Sequence, residues 1–368
     1  MRKMLLVLAL LFIFTPAQAS EALTVAASGA VLIDGESGRI LFAQNADEKL
    51  PEASCTKIMT ALLALENASL DEDVTAGKNA HGVEGTSIYL SEGETLSMEQ
   101  MLYGLMLRSG NDAAVAIAEH VGGSVSGFAE MMNRRAKELN ADATFKNPHG
   151  LHAEGHAASA LGLARIMREA LKNPDFRTIT GTQKKIIPWV GNEYSRVLEN
   201  KNRLLHSYEG ATGGKTGYTS KAGRCLVFSA KRDGMELIGV VLKCPTWFDT
   251  ATVMLDYGFE NFRMERALER GDTAAVLDVK NGDLATVDAI AAESLVGAVE
   301  NGSKPEIRIS AAPPSAPIRK GDLLGTAQLV ANGQVVDSCE LVAAHDVKVW
   351  SLGTAFLSLL RNWALQFA

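Results

Sequence analysis

Strand-like segments lie at two places far apart in the chain, and a mostly helical stretch separates them. Residues 30–34 and 39–44 are apolar runs joined by Gly-Glu-Ser-Gly, and residues 225–230 and 235–242 form a second pair joined by Lys-Arg-Asp-Gly. Short apolar runs bounded by such turn residues are typical of antiparallel hairpins. The chain has to enter a sheet, leave it for helices and return, which predicts an α+β fold with an antiparallel sheet.

The length of 368 residues exceeds what one hydrophobic core usually serves, so we expect two domains. Residues 20–262 contain both strand pairs and the helical stretch. Residues 270–345 are rich in Val, Ala, Asp and Gly, with spaced turn signals such as Asn281-Gly282. This composition predicts a small, mostly β second domain without catalytic groups.

The N-terminus has the three parts of a secretory signal. Arg2 and Lys3 precede the apolar stretch 4–14, and Ala-Gln-Ala at 17–19 has the small-x-small form of a cleavage site. We therefore expect residues 1–19 to be a signal peptide and the mature protein to be exported. An uncleaved membrane anchor is the alternative, although the apolar stretch is short for a membrane span.

The C-terminal segment 347–368 has an amphipathic pattern. One helical stripe carries apolar and aromatic side chains, namely Leu352, Phe356, Leu359, Leu360, Trp363 and Phe367. The pattern predicts a helix that lies in a membrane surface and attaches the exported protein to the outer face of the cytoplasmic membrane. A helix docked on the second domain is the alternative.

The overall composition is that of an ordinary folded protein, with 47% hydrophobic and 21% charged residues. The net charge of −7 argues against nucleic acid as the main partner.

Four cysteines are scattered along the chain, at Cys55, Cys225, Cys244 and Cys339. We expect no disulfide framework, because a domain of this size does not need one, although pairing of Cys225 with Cys244 stays open. A nucleophilic Cys55 is also conceivable. No lysine or histidine stands at helical spacing from it, which favours a small core residue.

Ser54 and Lys57 stand three residues apart at the start of an apolar run. Pro51 and Glu52 favour a helix start there, so the hydroxyl and the amine share one helical face. A neutral amine in that position can take the proton of a nucleophilic serine. Taken alone, the pair is better explained by chance, as a capping serine and a solvated lysine.

Two further motifs follow in order along the chain. Ser109-Gly110-Asn111 interrupts a helix that starts at the capping serine Ser97, and it predicts a kink that points polar side chains into a cleft. Lys215-Thr216-Gly217 begins an edge strand before the second strand pair, where the glycine lets a ligand approach the backbone closely.

Three histidines, His149, His152 and His156, lie in a loop with Pro148 and Gly150. They share no helical face, and no carboxylate or cysteine completes a metal-ligand set. We expect a loop whose histidines bond to the backbone. After a further helix, Asn173-Pro174 is read as the end of that helix.

The three motifs together resemble the signature set of penicillin-recognising serine enzymes. The segments 51–59, 107–112 and 214–219 resemble, more narrowly, the low-molecular-mass penicillin-binding proteins that act as D-alanyl-D-alanine carboxypeptidases. The resemblance implies a five-stranded antiparallel sheet with helices on both faces. It also implies removal of the terminal D-alanine from peptidoglycan stem pentapeptides, acylation by β-lactam antibiotics, and no cofactor or metal.

The resemblance also assigns roles to residues. Ser54 is the expected nucleophile, Lys57 the base, Ser109 a proton relay to the leaving amine, and Asn111 a partner of the substrate's amide. The substrate-binding residues implied by the strand motif are Lys215 and Thr216, which face the terminal carboxylate, Gly217, and Tyr218, whose amide joins that of Ser54 in an oxyanion hole. Lys201 or Arg203 is a candidate for a second cation at that carboxylate.

Three alternative functions remain at this point. A serine β-lactamase shares the motifs, but Gly110 replaces an acidic residue and no Glu-x-x-Leu-Asn segment lies between residues 147 and 214. Endopeptidase cleavage of cross-links by the same site, and a catalytically idle wall-binding or penicillin-sensing protein, are the others.

Overall fold

The computed structural model describes residues 23–353. A 3-10 turn at Ala53–Thr56 precedes the first α-helix. The helices, in chain order, are α1 Lys57–Asn67, α2 Met98–Leu107, α3 Asn111–Gly122, α4 Val125–Glu138, α5 Ala160–Ala170, α6 Pro174–Gly181, α7 Leu204–Ser207 and α8 Trp247–Asn261.

The strands of the first half and centre are β1 Gly29–Asp34, β2 Ile40–Gln44, β3 Asp73–Thr75, β4 Thr95–Ser97, β5 Ala143–Thr144, β6 Ala157–Ala158, β7 Lys184–Ile187, β8 Arg196–Glu199, β9 Ala211–Thr219, β10 Gly223–Arg232 and β11 Met235–Leu242. The remaining strands are β12 Phe262–Leu268, β13 Thr273–Asp278, β14 Thr286–Ala291, β15 Leu295–Glu300, β16 Glu306–Ala311, β17 Leu323–Ala331 and β18 Gln334–Ala343.

The main sheet has five antiparallel strands in the order β2-β1-β11-β10-β9. Strands from both ends of the first domain therefore meet at its centre, where β1 pairs with β11. Strands β10 and β11 are joined by Asp233-Gly234, and the backbone of both residues is left-handed, as a tight hairpin turn requires. The predicted α+β fold with a five-stranded antiparallel sheet is confirmed.

Helices cover both faces of this sheet because its central strands are apolar on both sides. Ile238 and Val240 of β11 belong to the larger core, with α1 to α6, whereas Leu237 and Val241 point to a second core against α8. All eight residues of β11 are buried. Such a doubly covered strand is typical of the middle layer of a three-layer domain.

One helix was missed because its start was interpreted as an end. Asn173 does follow α5, but its side chain accepts hydrogen bonds from the amides of Asp175 and Phe176 at 2.8 and 3.2 Å. With Pro174 at the first position, the Asn-Pro pair begins α6.

The C-terminal part is mostly β. A five-stranded sheet in the order β13-β14-β18-β17-β16 lies beside the two-stranded pair β12-β15. It meets the first sheet through polar and apolar contacts. Arg39 donates to Ala298 O and to the Glu300 carboxylate, both at 2.6 Å, and Phe262 and Ala298 belong to the core between that sheet and α8.

The structure differs from the predicted amphipathic helix at its start. Val347 is buried and forms a bridge with Ile318, and Val349 forms one with Gly282, so residues 347–350 extend the β part. Most of the predicted helix, from residue 354 on, lies outside the described residues, as does the predicted signal peptide. Within 23–353, no helix is long and apolar enough to cross a membrane.

Candidate active site

Ser54 lies in the 3-10 turn that runs directly into α1, rather than in one continuous α-helix with Lys57. A spacing of three residues still brings both side chains to one side, because a 3-10 turn has three residues per turn. Lys57 Nζ lies 3.0 Å from Ser54 Oγ. The residue before the serine, Ala53, has a left-handed φ of 50°, an uncommon conformation for a residue with a side chain.

Lys57 is fully buried, and its amine is held by three oxygen atoms. Besides Ser54 Oγ, it donates to Asn111 Oδ1 and to the carbonyl of His149, each at 2.7 Å. Burial lowers the pKa of Lys57 well below its usual range, and the nearby charges of Lys215 and Lys201 lower the pKa further. The lowered pKa favours the neutral amine, which is the form that a base must have.

The second motif lies between two helices, as predicted. Helix α2 ends at Leu107, Ser109 has a left-handed φ of 64°, and Asn111 begins α3. The Asn111 amide nitrogen donates to the carbonyl of Glu84 at 2.6 Å, which directs its oxygen to Lys57. Gly85 follows Glu84 in the chain, and a Cβ at position 85 would lie 2.8 Å from the Asn111 amide nitrogen.

The third motif lies in the middle of the edge strand β9, which begins four residues before Lys215, at Ala211. Lys215 is 1% exposed, and its amine donates to Ser109 Oγ at 3.0 Å and to the Thr216 carbonyl at 2.8 Å. Burial lowers the pKa of Lys215 to about 7, and the charge of Lys201 acts in the same direction. Two serine–lysine pairs, 54 with 57 and 109 with 215, thus face one cleft.

Gly217 allows a close approach to its backbone by the chain itself, whereas the prediction concerned a ligand. A Cβ at this position would lie 2.8 Å from Glu52 O and 3.0 Å from the Ser54 amide nitrogen. The group packed against the glycine is the chain's own 3-10 turn that carries Ser54. The absent side chain lets β9 lie directly beside Ser54.

A cavity of about 610 Å³ opens over these groups. The predicted residues on its wall are Ser54, Ser109, Asn111, Thr216, Gly217 and Tyr218, while Lys57 and Lys215 lie beneath them. Tyr218 is 65% exposed. Lys201 and Arg203 both line the cavity, so both candidate second cations are at the site.

Two of the three loop histidines bond to the backbone, as expected. The Nδ1 atoms of His149 and His156 accept from the amides of Leu151 and Lys146 at 3.2 and 3.0 Å. Burial, followed by the charge of Lys57, lowers the pKa of His149 to about 3, so this ring is neutral. Among residues 23–353, no group of three or more His, Cys, Asp or Glu side chains is placed to hold a metal ion.

The four cysteines are free and buried. Cys55 Sγ lies 3.5 Å from the carbonyl of Lys215, on the core side of the turn. Burial raises the pKa of the Cys55 thiol well above its usual range, which excludes the reactive thiolate that a nucleophile needs.

Sequence reasoning missed a buried polar cluster beneath the 3-10 turn that carries Ser54. Glu52 Oε1 accepts from Thr56 Oγ1 at 2.9 Å and lies 2.8 Å from His156 Nε2, and both Glu52 and His156 are buried. Glu52 appeared only as a favourable first-turn residue, and no local signal links it to a histidine 104 positions later. The cavity wall formed by Arg224, Trp247 and Phe248 was missed for the same reason.

Comparisons with known proteins agree with this geometry. A family model described as D-alanyl-D-alanine carboxypeptidase matches residues 15–246, and one described as penicillin-binding protein 5, C-terminal domain, matches residues 262–349. Relatives of the same name include DacF of Bacillus subtilis, 36% identical, and DacC of Escherichia coli, 31% identical. Each alignment covers 92% of this chain and 90% of the relative.

A solved structure of penicillin binding protein 5 from Haemophilus influenzae superposes with a TM-score of 0.80 at 30% identity, covering 88% of this chain and 98% of the other. A family model that matches more than half of the chain and relatives that align along nearly all of it lead to one conclusion: this chain belongs to the D-alanyl-D-alanine carboxypeptidase family of serine peptidases.

Proposed function

We propose that this protein is a D-alanyl-D-alanine carboxypeptidase that removes the terminal D-alanine from peptidoglycan stem peptides through an acyl-enzyme on Ser54. The observation that carries the proposal is the buried amine of Lys57, 3.0 Å from Ser54 Oγ, with a lowered pKa. A serine hydroxyl is a weak nucleophile until an adjacent base takes its proton.

Acylation begins when Ser54 Oγ attacks the carbonyl of the penultimate D-alanine and its proton passes to Lys57. The carbonyl oxygen becomes negative and is stabilised by the backbone amides of Ser54 and Tyr218. Supporting this pair, Gly217, the residue before Tyr218, packs against the Ser54 amide nitrogen. The C–N bond then breaks, and the leaving D-alanine amine takes a proton from Ser109, whose hydroxyl contacts Lys215. The proton that Lys57 took from Ser54 passes to Ser109, so Ser109 is a hydroxyl and Lys57 a neutral amine again before water enters.

The terminal carboxylate is the feature that distinguishes a carboxypeptidase substrate. Thr216, Lys201 and Arg203 line the cavity, and the buried Lys215 lies beside Thr216. We assign the binding of this carboxylate to Lys215, the Thr216 hydroxyl and a cation from Lys201 or Arg203. Asn111, held between Lys57 and Glu84 O, presents its side chain to the substrate's amide.

Deacylation reverses the same steps with water. Lys57 takes a proton from the water that attacks the ester carbonyl, and Ser54 leaves with that proton. A β-lactam, whose amide carbonyl and carboxylate have a similar spacing, acylates Ser54 by the first half of this cycle. The ester then persists if water attacks it slowly.

The experiment measures D-alanine release from diacetyl-L-lysyl-D-alanyl-D-alanine by the wild-type protein and by Ser54→Ala. We expect turnover by the wild type and loss of at least about 1000-fold in the variant. Rapid acylation by penicillin with no D-alanine release by the wild type would instead indicate a penicillin sensor. Turnover by Ser54→Ala would show that the nucleophile is elsewhere.

We also propose that the protein acts outside the cytoplasm, with a catalytic domain at 20–262, a β domain at 270–345 and a membrane-associating tail. The tail is tested by removing residues 354–368, which leaves the buried Val347 in place. We expect the truncated protein to leave the membrane fraction after signal cleavage. Equal membrane binding without the tail would overturn the anchor.

A further inference from the structure

The cavity at Ser54 continues past Tyr218 into a second cavity of about 580 Å³. The second cavity is lined by Tyr218, Gly223, Arg224, Lys243, Pro245 and Trp247. Tyr218, Arg224 and Trp247 line both cavities, so the two form one groove that passes the C-terminal end of β9.

This groove is cationic, although the protein as a whole is acidic. The described residues that line the two cavities include no Asp or Glu, while Lys201, Arg203, Arg224 and Lys243 are all among them. The net charge of the full chain is −7. A local positive potential against such a background favours an anionic ligand.

Two of these cations have no anionic partner of their own. Neither Arg224 nor Lys243 forms an ion pair with any residue in 23–353, and both are exposed. The Arg224 guanidinium is nevertheless oriented, because one nitrogen donates to Pro245 O at 2.8 Å and its carbon lies 5.9 Å from the centre of the Trp247 ring. An oriented guanidinium with free donors is suited to a carboxylate.

The strand register places Arg224 on the far side of Ser54 from Lys215. The Ser54 amide lies beside Gly217, Lys215 precedes that level by two residues, and Arg224 pairs with Tyr218 just beyond it. An extended peptide along β9, with its carboxylate at Lys215 and its reacting carbonyl at Ser54, must therefore continue toward Arg224.

We propose that Arg224, oriented by Trp247 and assisted by Lys243, binds a carboxylate on the residue that precedes D-alanyl-D-alanine in the donor peptide. This inference rests on the proposed function. The enzyme then prefers acidic donor peptides to their neutral amides, and the aliphatic part of that side chain packs on the Trp247 ring.

The test compares acetyl-L-glutamyl-D-alanyl-D-alanine with its glutaminyl counterpart, which differ only in one carboxylate. In the wild type we expect kcat/KM to be about fivefold to tenfold higher for the acidic peptide, as for one charge-assisted contact at a partly exposed site. The ratio falls to about one in Arg224→Gln and shrinks in high salt.

Arg232→Gln is the matched control. Arg232 ends the same strand, and it too stacks on aromatic rings, those of Tyr208 and Phe259 at 4.4 and 4.9 Å, but it lies outside the groove. We expect it to keep the wild-type ratio. D-alanine release at equal rates from both peptides by the wild type, or a ratio unchanged by Arg224→Gln, would overturn the subsite alone. Release from neither peptide would overturn the proposed function and the subsite with it.

Discussion

Gly217→Ala is a change that displaces Ser54 without altering any reacting group. The new methyl carbon would lie 2.8 Å from Glu52 O, 3.0 Å from Ser54 N and 3.2 Å from Ala53 Cβ. The backbone of Gly217 has no left-handed φ, so alanine adds only the steric clash. Either β9 or the 3-10 turn that carries Ser54 therefore has to shift.

The size of the effect follows from these distances. Relaxing the shortest contact, 2.8 Å, to an ordinary separation near 3.4 Å needs a shift of about 0.6 Å. Overpacking of this kind costs about 1–3 kcal/mol of stability. A misplacement of about 1 Å costs about 100-fold in rate, so we expect kcat/KM to fall about 10- to 100-fold while the fold is kept.

Steady-state D-alanine release and thermal unfolding, measured on the same preparations, separate the two effects. Gly302→Ala is the control, because its φ of 81° makes alanine strained while no atom lies within 4 Å of the new carbon. We expect it to lose about 1 kcal/mol of stability and to keep its activity. A Gly217→Ala enzyme with wild-type kcat/KM would refute the inference that this glycine positions Ser54.

Two further outcomes follow from the buried charges. Lys57 has to be neutral to act as the base, so activity falls as pH drops through the lowered pKa of Lys57. Lys215 has to be charged to bind the carboxylate, and its pKa is about 7, so kcat/KM also falls above pH 7. In the substrate complex the bound carboxylate raises the pKa of Lys215, so the alkaline limb of the kcat profile lies at higher pH than that of kcat/KM. Full pH–rate profiles measure both limbs, and limbs that superimpose would contradict carboxylate binding by Lys215. Glu94→Ala leaves the buried Arg196 without its carboxylate, 2.6 Å away, and we expect a loss of about 3–5 kcal/mol in denaturant unfolding. Burial raises the pKa of Glu94, but hydrogen bonds from Arg196 and the Ser91 amide outweigh burial and lower this pKa. The Glu94–Arg196 pair therefore stabilises the wild type above about pH 4.5, and this contribution is lost as pH falls further. An unchanged denaturant midpoint in Glu94→Ala would count against a stabilising role of the pair.

Local patterns were enough to predict the antiparallel sheet and to single out the polar residues that meet at the cavity. Paired apolar runs fixed where the chain enters and leaves the sheet, and three short motifs named the serines, lysines and asparagine that the structure brings within hydrogen-bond distance. The motifs could be found because each is defined by residue types at fixed spacing within a short segment, while the catalytic roles of these residues stay predictions.

Contacts between distant segments were not predictable in this way. Lys57 donates to the carbonyl of His149, which is 92 positions away in the chain, and His156 contacts Glu52 beneath the 3-10 turn that carries Ser54. A single sequence contains no sign that such residues meet. The same applies to Arg224 and Trp247, which belong to separate elements, β10 and α8, but together form one wall of the groove.

The central claim, that Ser54 is the nucleophile, is tested most directly by mapping a trapped acyl-enzyme. The protein is incubated with benzylpenicillin, quenched in acid and digested, and the modified peptide is located by mass spectrometry. We predict a single adduct on the peptide that contains Ser54, and none in Ser54→Ala. An adduct on the peptide containing Ser109, or none on a protein that still releases D-alanine, would contradict the account.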